Sequence, residues 1–217
     1  LEFGVIAHNE STTDNKDRPA IENASSGVPL AVTGFVDSIA ARLLDLLVDM
    51  AGLEHLLQGI CELAVEAVPG CESASITVIE GNNARTPAAS DQRARRLDEA
   101  QYRDGDGPGL RAARLDADIL IQLDALELAA DIQATEDGTG VRSGPTWREQ
   151  ARDAGISAVV SMPIAGPADL RAALNLYTGR AGGWNPEAMA LADALVTYAG
   201  DAVTIGRRLD PGHLFQP

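Results

Sequence analysis

The sequence predicts an α+β domain, with a central antiparallel sheet of about five or six strands, terminal helices on one face and loops and short helices on the other. Three observations predict it. Amphipathic helical patterns stand at both ends of the chain. Short β-rich segments fill the middle, the clearest being the alternating run from Cys71 to Ile79. Turn signals at Gly81-Asn82-Asn83 and Gly166-Pro167 join neighbouring strands so closely that they return as hairpins. The order reads α-α-β-β-α-β-α-β-β-α.

Residues 1–32 are polar and lack apolar periodicity, and are expected to form a flexible N-terminal arm. The domain is expected over 33–208, with a tail at 209–217. Thr33 is the expected N-cap of a first helix in which Ile39, Leu43, Leu46, Leu47 and Met50 recur at helical spacing. Gly52 breaks that pattern. A second helix aligns Leu53, Leu56, Leu57, Ile60, Leu63, Ala64 and Ala67, and Pro69-Gly70 stops it. In the strand that follows, Ala74, Ile76 and Val78 face one way and Ser73, Ser75 and Thr77 the other. Arg85 to Ser90 returns as its hairpin partner, and Ser90 is the expected cap of a short Arg- and Asp-rich helix ending near Ala100. A tight glycine loop at 105–109 leads into one or two helical turns, then a strand from Asp118 to Leu123. The stretch from Asp124 to Pro145 starts helix-like and decays into turn residues. A short helix follows from Thr146 to Ala154, then strands at Ile156–Pro163 and Leu170–Thr178. Asn185-Pro186 opens a last helix that runs to about Arg208.

Composition narrows the function. The chain has 217 residues, 45% of them hydrophobic but only 4% aromatic, so one core built from Ala, Leu, Val and Ile is expected. The net charge of −15 repels a phosphate backbone and argues against nucleic acid as a partner. No run approaches the ~20 apolar residues of a membrane span, and the N-terminus lacks the basic and apolar regions of a signal peptide. A cytoplasmic location without membrane attachment is therefore expected. Cys61 and Cys71 form no CxxC pair and read as small buried hydrophobes in a reducing compartment.

The candidate site is the polar side of the sheet. Ser75 and Thr77 on one strand, Ser157 and Ser161 on another, and Asn175 and Tyr177 on a third are expected to line one concave face. Tyr102 and Trp147 are the aromatic residues expected to close it. The glycine loop lacks the Lys-Ser/Thr of a phosphate-binding loop, and its Asp104 and Asp106 lack the remaining ligands of a calcium loop. His55 sits on an amphipathic helix and reads as a surface residue. No catalytic constellation and no metal-ligand set is expected, and no cofactor.

Several phrases in order are similar to the GAF domain family. They are Leu63-Ala-Val-Glu-Ala-Val-Pro-Gly70 before a strand; Gln101-Tyr102 followed by Gly105-Asp106-Gly107-Pro108; Gly155-Ile156-Ser157 leading to Ser161-Met162-Pro163-Ile164; and Ala173-Leu174-Asn175-Leu176-Tyr177. They most resemble bacterial GAF domains that precede an ANTAR domain, an RNA-binding antiterminator module. The resemblance covers roughly 33–208, and no ANTAR sequence follows, so no RNA-binding output is expected within this stretch. Gly109 stands where such members often carry Cys, and the segment between Leu123 and Trp147 is longer than the family leads one to expect. The resemblance implies a sensory or regulatory domain for signal transduction and transcription regulation. It implies a small molecule bound between the sheet and the middle loops, a signal relayed through the terminal helices, and a homodimer formed by those helices. It offers two alternatives: a ligand-free homodimerisation or protein-interaction module, and a redox enzyme like the GAF-fold methionine sulfoxide reductases. The enzyme is disfavoured, because neither cysteine lies in the loop region. The residue signals for cyclic nucleotide, bilin or haem are absent.

Overall fold

The computed structural model describes residues 39–45, 52–123, 145–166 and 170–209. The expected arm at 1–32, Leu46 and Leu47 of the first helix, and the stretch at 124–144 lie outside them. The described part of the first helix, α1, covers 39–45. After it come α2 (Leu53–Ala67), β1 (Ser73–Glu80), β2 (Asn83–Ala89), α3 (Gln92–Asp104), α4 (Pro108–Leu115), β3 (Ile119–Gln122), α5 (Trp147–Asp153), β4 (Ala158–Pro163), β5 (Arg171–Thr178) and α6 (Pro186–Leu209). The fold is the α+β arrangement expected, with five strands.

The sheet order is β2-β1-β5-β4-β3, and every neighbouring pair is antiparallel. The two hairpins, β1–β2 and β4–β5, are joined by the central β1–β5 pairing, which runs from Ser73 opposite Tyr177 to Ile79 opposite Arg171. Between Ile76 and Val78 the β1–β2 register shifts. Thr86 and Pro87 there oppose the single residue Thr77. Pro87 has no N–H to give the ladder, and an edge strand with a bulge tolerates it. The bulge turns Thr86 to the side of the sheet away from the terminal helices, where simple alternation from Ala88 would not put it.

One face carries the main core. Ile76 and Val78 of β1, Leu174 and Leu176 of β5, and Val160 and Met162 of β4 pack beneath α1, α2 and α6. The α2 stripe read from the sequence is buried, Leu53 only in part, and so are Ile39, Leu43, Leu195, Ala199 and Val203. The terminal helices are expected to cover one face of the sheet, and these last five residues lie in the core there. Gly200 likewise makes an internal approach: a β-carbon there would stand 2.6 Å from the Ala165 carbonyl oxygen. Among the described residues one helical stretch, Pro186–Gly206, is long and apolar enough to cross a membrane, although Glu187, Asp193 and Asp201 interrupt it. Half of that stretch is buried within the domain.

The other face is covered by α3, α4 and α5. Ala94, Leu97 and Ala100 of α3 meet Trp147 and Ala151 of α5, with Val159 and Tyr177 of the sheet. A separate small cluster holds α4 through Leu110, Ala112 and Ala113 against Ile79 and Ala173. Two sequence expectations shift here. The cap of α3 is Asp91, whose carboxylate accepts from the Ala94 N–H at 2.8 Å, while Ser90 Oγ accepts from the Ala74 N–H. The helix also continues past Ala100 to Asp104, where Gly105 ends it at φ 72°. That left-handed turn is open to glycine at little cost. The extension places Gln101 and Tyr102 on the helix.

Candidate functional site

Alternation along β1 and the register of β5 and β4 bring Ser75, Thr77, Asn175, Tyr177 and Ser161 to the face under α3 and α4. Ser75 and Ser161 both pair directly with Asn175. From above, α3 contributes Asp98, Gln101 and Tyr102, spaced i, i+3 and i+4 and therefore on one side of the helix. Asp98, Gln101, Asn175, Tyr177, Ser75, Thr77 and Ser161 are all fully buried.

These groups form one hydrogen-bonded set with Asp98 at its centre. Its Oδ1 accepts from the Tyr177 hydroxyl at 2.5 Å and from Asn175 Nδ2 at 3.2 Å. Its Oδ2 accepts from Thr86 Oγ1 at 2.9 Å, which is what the bulge in β2 makes reachable. Asn175 Nδ2 also lies 2.9 Å from Thr77 Oγ1 and 3.3 Å from Ser75 Oγ. The Tyr102 hydroxyl stands 2.7 Å from Thr86 Oγ1 and 3.1 Å from Thr77 Oγ1. Thr86 gives its proton to Asp98, so in the shorter contact Thr86 Oγ1 accepts the single O–H of Tyr102. Arg95 reaches over to donate to the Thr86 carbonyl at 2.6 Å.

The electrostatics follow from burial. Loss of water pushes the Asp98 carboxyl up from 3.8 to about 6, although the bonds from Tyr177, Ser75 and Thr86 and the charge of Arg95 pull the other way. Burial and the nearby Asp98 raise both Tyr102 and Tyr177, so each phenol stays protonated as a donor. The carboxylate is therefore held by neutral donors, and no salt bridge neutralises it among the described residues.

Two fully buried polar atoms on this face have no partner: Asn175 Oδ1 and Ser161 Oγ. They belong to cross-strand neighbours. Above Asn175 lies the first turn of α4. A β-carbon at Gly109 would stand 2.6 Å from Asn175 Oδ1 and 2.8 Å from Thr77 Oγ1, so only glycine lets the helix settle here. The Gly109 N–H donates to Gln101 Oε1 at 3.0 Å, and Gln101 Nε2 donates to the Tyr177 hydroxyl at 3.3 Å. Gln101 thus ties α4 to the set.

Of the eight residues expected to line or close the site, Ser75, Thr77, Tyr102, Ser161, Asn175 and Tyr177 lie together here. Trp147 stands apart from the hydrogen-bonded set. Its ring packs in the apolar cluster with Val159 and Tyr177, its backbone N–H donates to Asp104 Oδ2 at 2.7 Å, and Arg148 lies 5.2 Å over its ring. Ser157, at the end of the strand, bonds the Gly179 carbonyl instead. Asp98, Gln101 and Thr86 were not anticipated. The glycine loop serves as the end of α3 and the start of α4, with Asp106 paired to Arg111 and its carboxyl held below the usual range by that bond. His55 is exposed. No cluster of metal-ligating side chains occurs among the described residues. Cys61 and Cys71 are free thiols buried in the main core, on the opposite side of the sheet.

A family model described as GAF domain matches residues 50–204. No curated protein matches the sequence. Among solved structures, the chain is similar to the GAF domain from an Acinetobacter phosphoenolpyruvate-protein phosphotransferase, at 8% identity and TM-score 0.55, covering 86% of this chain and 99% of that one. It is similar to fRMsr of Staphylococcus aureus in complex with substrate, at 12% identity and TM-score 0.55, covering 81% and 97%. It is also similar to the A. aeolicus nlh2 GAF domain in an inactive state, at 11% identity and TM-score 0.50, covering 82% and 98%. At these identities the likeness is one of fold.

Proposed function

The chain belongs to the GAF domain family, and from that footing we propose that it is a sensory or regulatory domain that binds a small molecule between the sheet and the α3–α4 layer. The observation that carries this reading is the pair of unpartnered buried acceptors, Asn175 Oδ1 and Ser161 Oγ, inside an otherwise hydrogen-bonded set. A buried polar atom left without a partner costs roughly 1–3 kcal/mol. A ligand that satisfies both recovers that cost, and this is differential affinity for a liganded state.

The relay runs through β5. Asn175 and Tyr177 face the polar set, while Leu174 and Leu176, alternating with them, sit in the core beneath α2 and α6. A shift of the strand is therefore felt on both faces, and the long terminal helix carries it outward. Sensory roles in signal transduction and transcription regulation fit this arrangement.

A redox enzyme is the weaker reading. The Staphylococcus aureus fRMsr shares the fold, but the two thiols of this chain lie away from the polar set. Burial pushes Cys71 up to about 12 and raises Cys61 well above its ordinary value. Both stay protonated and poorly nucleophilic at neutral pH. A homodimer through the terminal helices is favoured by Leu44 on α1 and Ile205 on α6, which are exposed although apolar.

Native mass spectrometry of protein purified without added ligand, then mixed with a small-molecule cell extract, tests the reading. The expected result is added mass that is lost in Asn175→Leu. Bare protein throughout contradicts ligand binding. Subunit number in the same spectra tests the pairing of helices, and a monomer at all concentrations overturns it.

A further inference from the structure

We propose that Asn175 Oδ1 and Ser161 Oγ are the recognition end of a subsite for a small organic cation bearing N–H donors, a primary ammonium or an amidinium, which binds by lifting α4 off the sheet. This inference rests on the reading of the polar face as the sensing site and adds to it the ligand's chemistry and the element that moves.

The donor requirement comes from the atoms. An amide oxygen accepts and never donates, so Asn175 Oδ1 needs a donor from its ligand. Ser161 Oγ, on the paired position of β4, accepts equally well. The sign of charge comes from the far end of the same amide. Asn175 Nδ2 donates to the buried Asp98 carboxylate. That contact polarises the amide and makes Oδ1 a richer acceptor. Asp98 itself meets only neutral donors in Thr86, Tyr177 and Asn175, and the nearby Arg95 is engaged with the Thr86 carbonyl. A cation entering beside Asn175 is attracted by this buried charge and an anion is repelled.

Access requires α4 to move, because its first turn lies on Asn175 at Gly109. The helix is built to do so. It has eight residues, and its apolar contacts form a small cluster of their own with Ile79 and Ala173. Left-handed backbone stands on both sides of it, at Gly105 with φ 72° and Asp116 with φ 52°. Leu115 at its end is exposed. When α4 lifts, the Gly109 N–H leaves Gln101 Oε1, and that oxygen is freed as a third acceptor under the helix. Three acceptors match the three N–H bonds of a primary ammonium. Seating of α4 and occupation by the cation are thus mutually exclusive, and the ligand's presence is read as the helix's position.

The test is a 1H–15N NMR titration of the 217-residue chain with methylammonium chloride and acetamidinium chloride. Acetamide, sodium acetate and sodium chloride serve as controls at equal ionic strength. The two cations are expected to shift the Asn175 side-chain signals and the backbone amides of α4, and the controls are not. Gly109→Ala, which unseats α4, is expected to tighten cation binding about tenfold by removing the cost of lifting. Ser161→Ala is expected to weaken it about tenfold. Asn175→Leu, judged only if its spectrum is that of a folded chain, is expected to abolish it. Shifts by acetamide or acetate as large as those by the cations overturn the cation class and leave the sensing site standing. Shifts equal to those from sodium chloride, or unchanged in Ser161→Ala, overturn the subsite altogether. The sensory reading is then judged separately by the mass retained from the extract.

Discussion

Gly109 of α4 rests on the Asn175 amide so closely that a β-carbon at 109 would come within 2.6 Å of Oδ1. The contact joins the helical cover to the middle of the sheet. In an ordinary exposed helix position, replacing Gly by Ala stabilises by roughly 1 kcal/mol. Here the account predicts the opposite sign: Gly109→Ala lowers stability by about 1–3 kcal/mol, as overpacking does. Urea unfolding measures it. In an Asn175→Ala background the penalty should shrink, since the obstructing amide is gone. An equal penalty in both backgrounds contradicts the contact.

Asp98 gives a pH dependence of definite sign. Its folded pKa of about 6 lies above the 3.8 of the unfolded chain, so the folded state binds the extra proton between those values. The contribution of Asp98 to stability therefore falls as pH rises from about 4 to about 6, by on the order of 3 kcal/mol across the window. Above pH 6 it changes no further. Unfolding of the wild type and Asp98→Asn should be compared at pH 4.5 and pH 7. The wild type is expected to lose stability relative to the variant at the higher pH. The opposite trend would mean that the carboxylate is better held than its neutral donors imply.

Thiol chemistry should be silent in the native state. Cys61 and Cys71 are buried, and desolvation raises both. Ellman's reagent is expected to react with them only at the rate of unfolding, and fully in denaturant. Fast labelling of either thiol in the native chain reopens the redox reading.

Gly200 predicts a penalty on the other face. Its approach to the Ala165 carbonyl leaves no room for a side chain, so Gly200→Ala should cost about 1–3 kcal/mol in urea unfolding. A neutral result would mean that α6 sits further from the sheet edge.

The strands were the legible part of the site. The alternation of Ser75 and Thr77 against Ile76 and Val78, and of Asn175 and Tyr177 against Leu174 and Leu176, shows period two directly in the sequence, and burial follows it. The centre of the network was not legible for three physical reasons. Asp98 lies in an Arg- and Asp-rich helix whose charges read as solvated. Only its spacing from Gln101 and Tyr102, on the side carrying Ala94 and Leu97, betrays an inward face. Thr86 reaches Asp98 through a bulge, and a bulge reverses the face that alternation assigns. Gly109 reads as one more loop glycine, because its need for a missing side chain arises from Asn175, distant in sequence. The terminal helices show the converse. Their apolar stripes were plain in the sequence, but the stripe alone does not say whether its partner is the same domain or a second copy, and the domain's own core takes Ile39, Leu43, Leu195, Ala199 and Val203.

The most direct test of the central claim is amide hydrogen exchange of the intact chain with and without the small-molecule extract. Ligand binding on the polar face predicts altered exchange in Pro108–Leu115 together with β5, and in α6 on the opposite face. The Asn175→Leu variant should show none of it. Unchanged exchange in α4, or a change that persists in Asn175→Leu, would contradict the account.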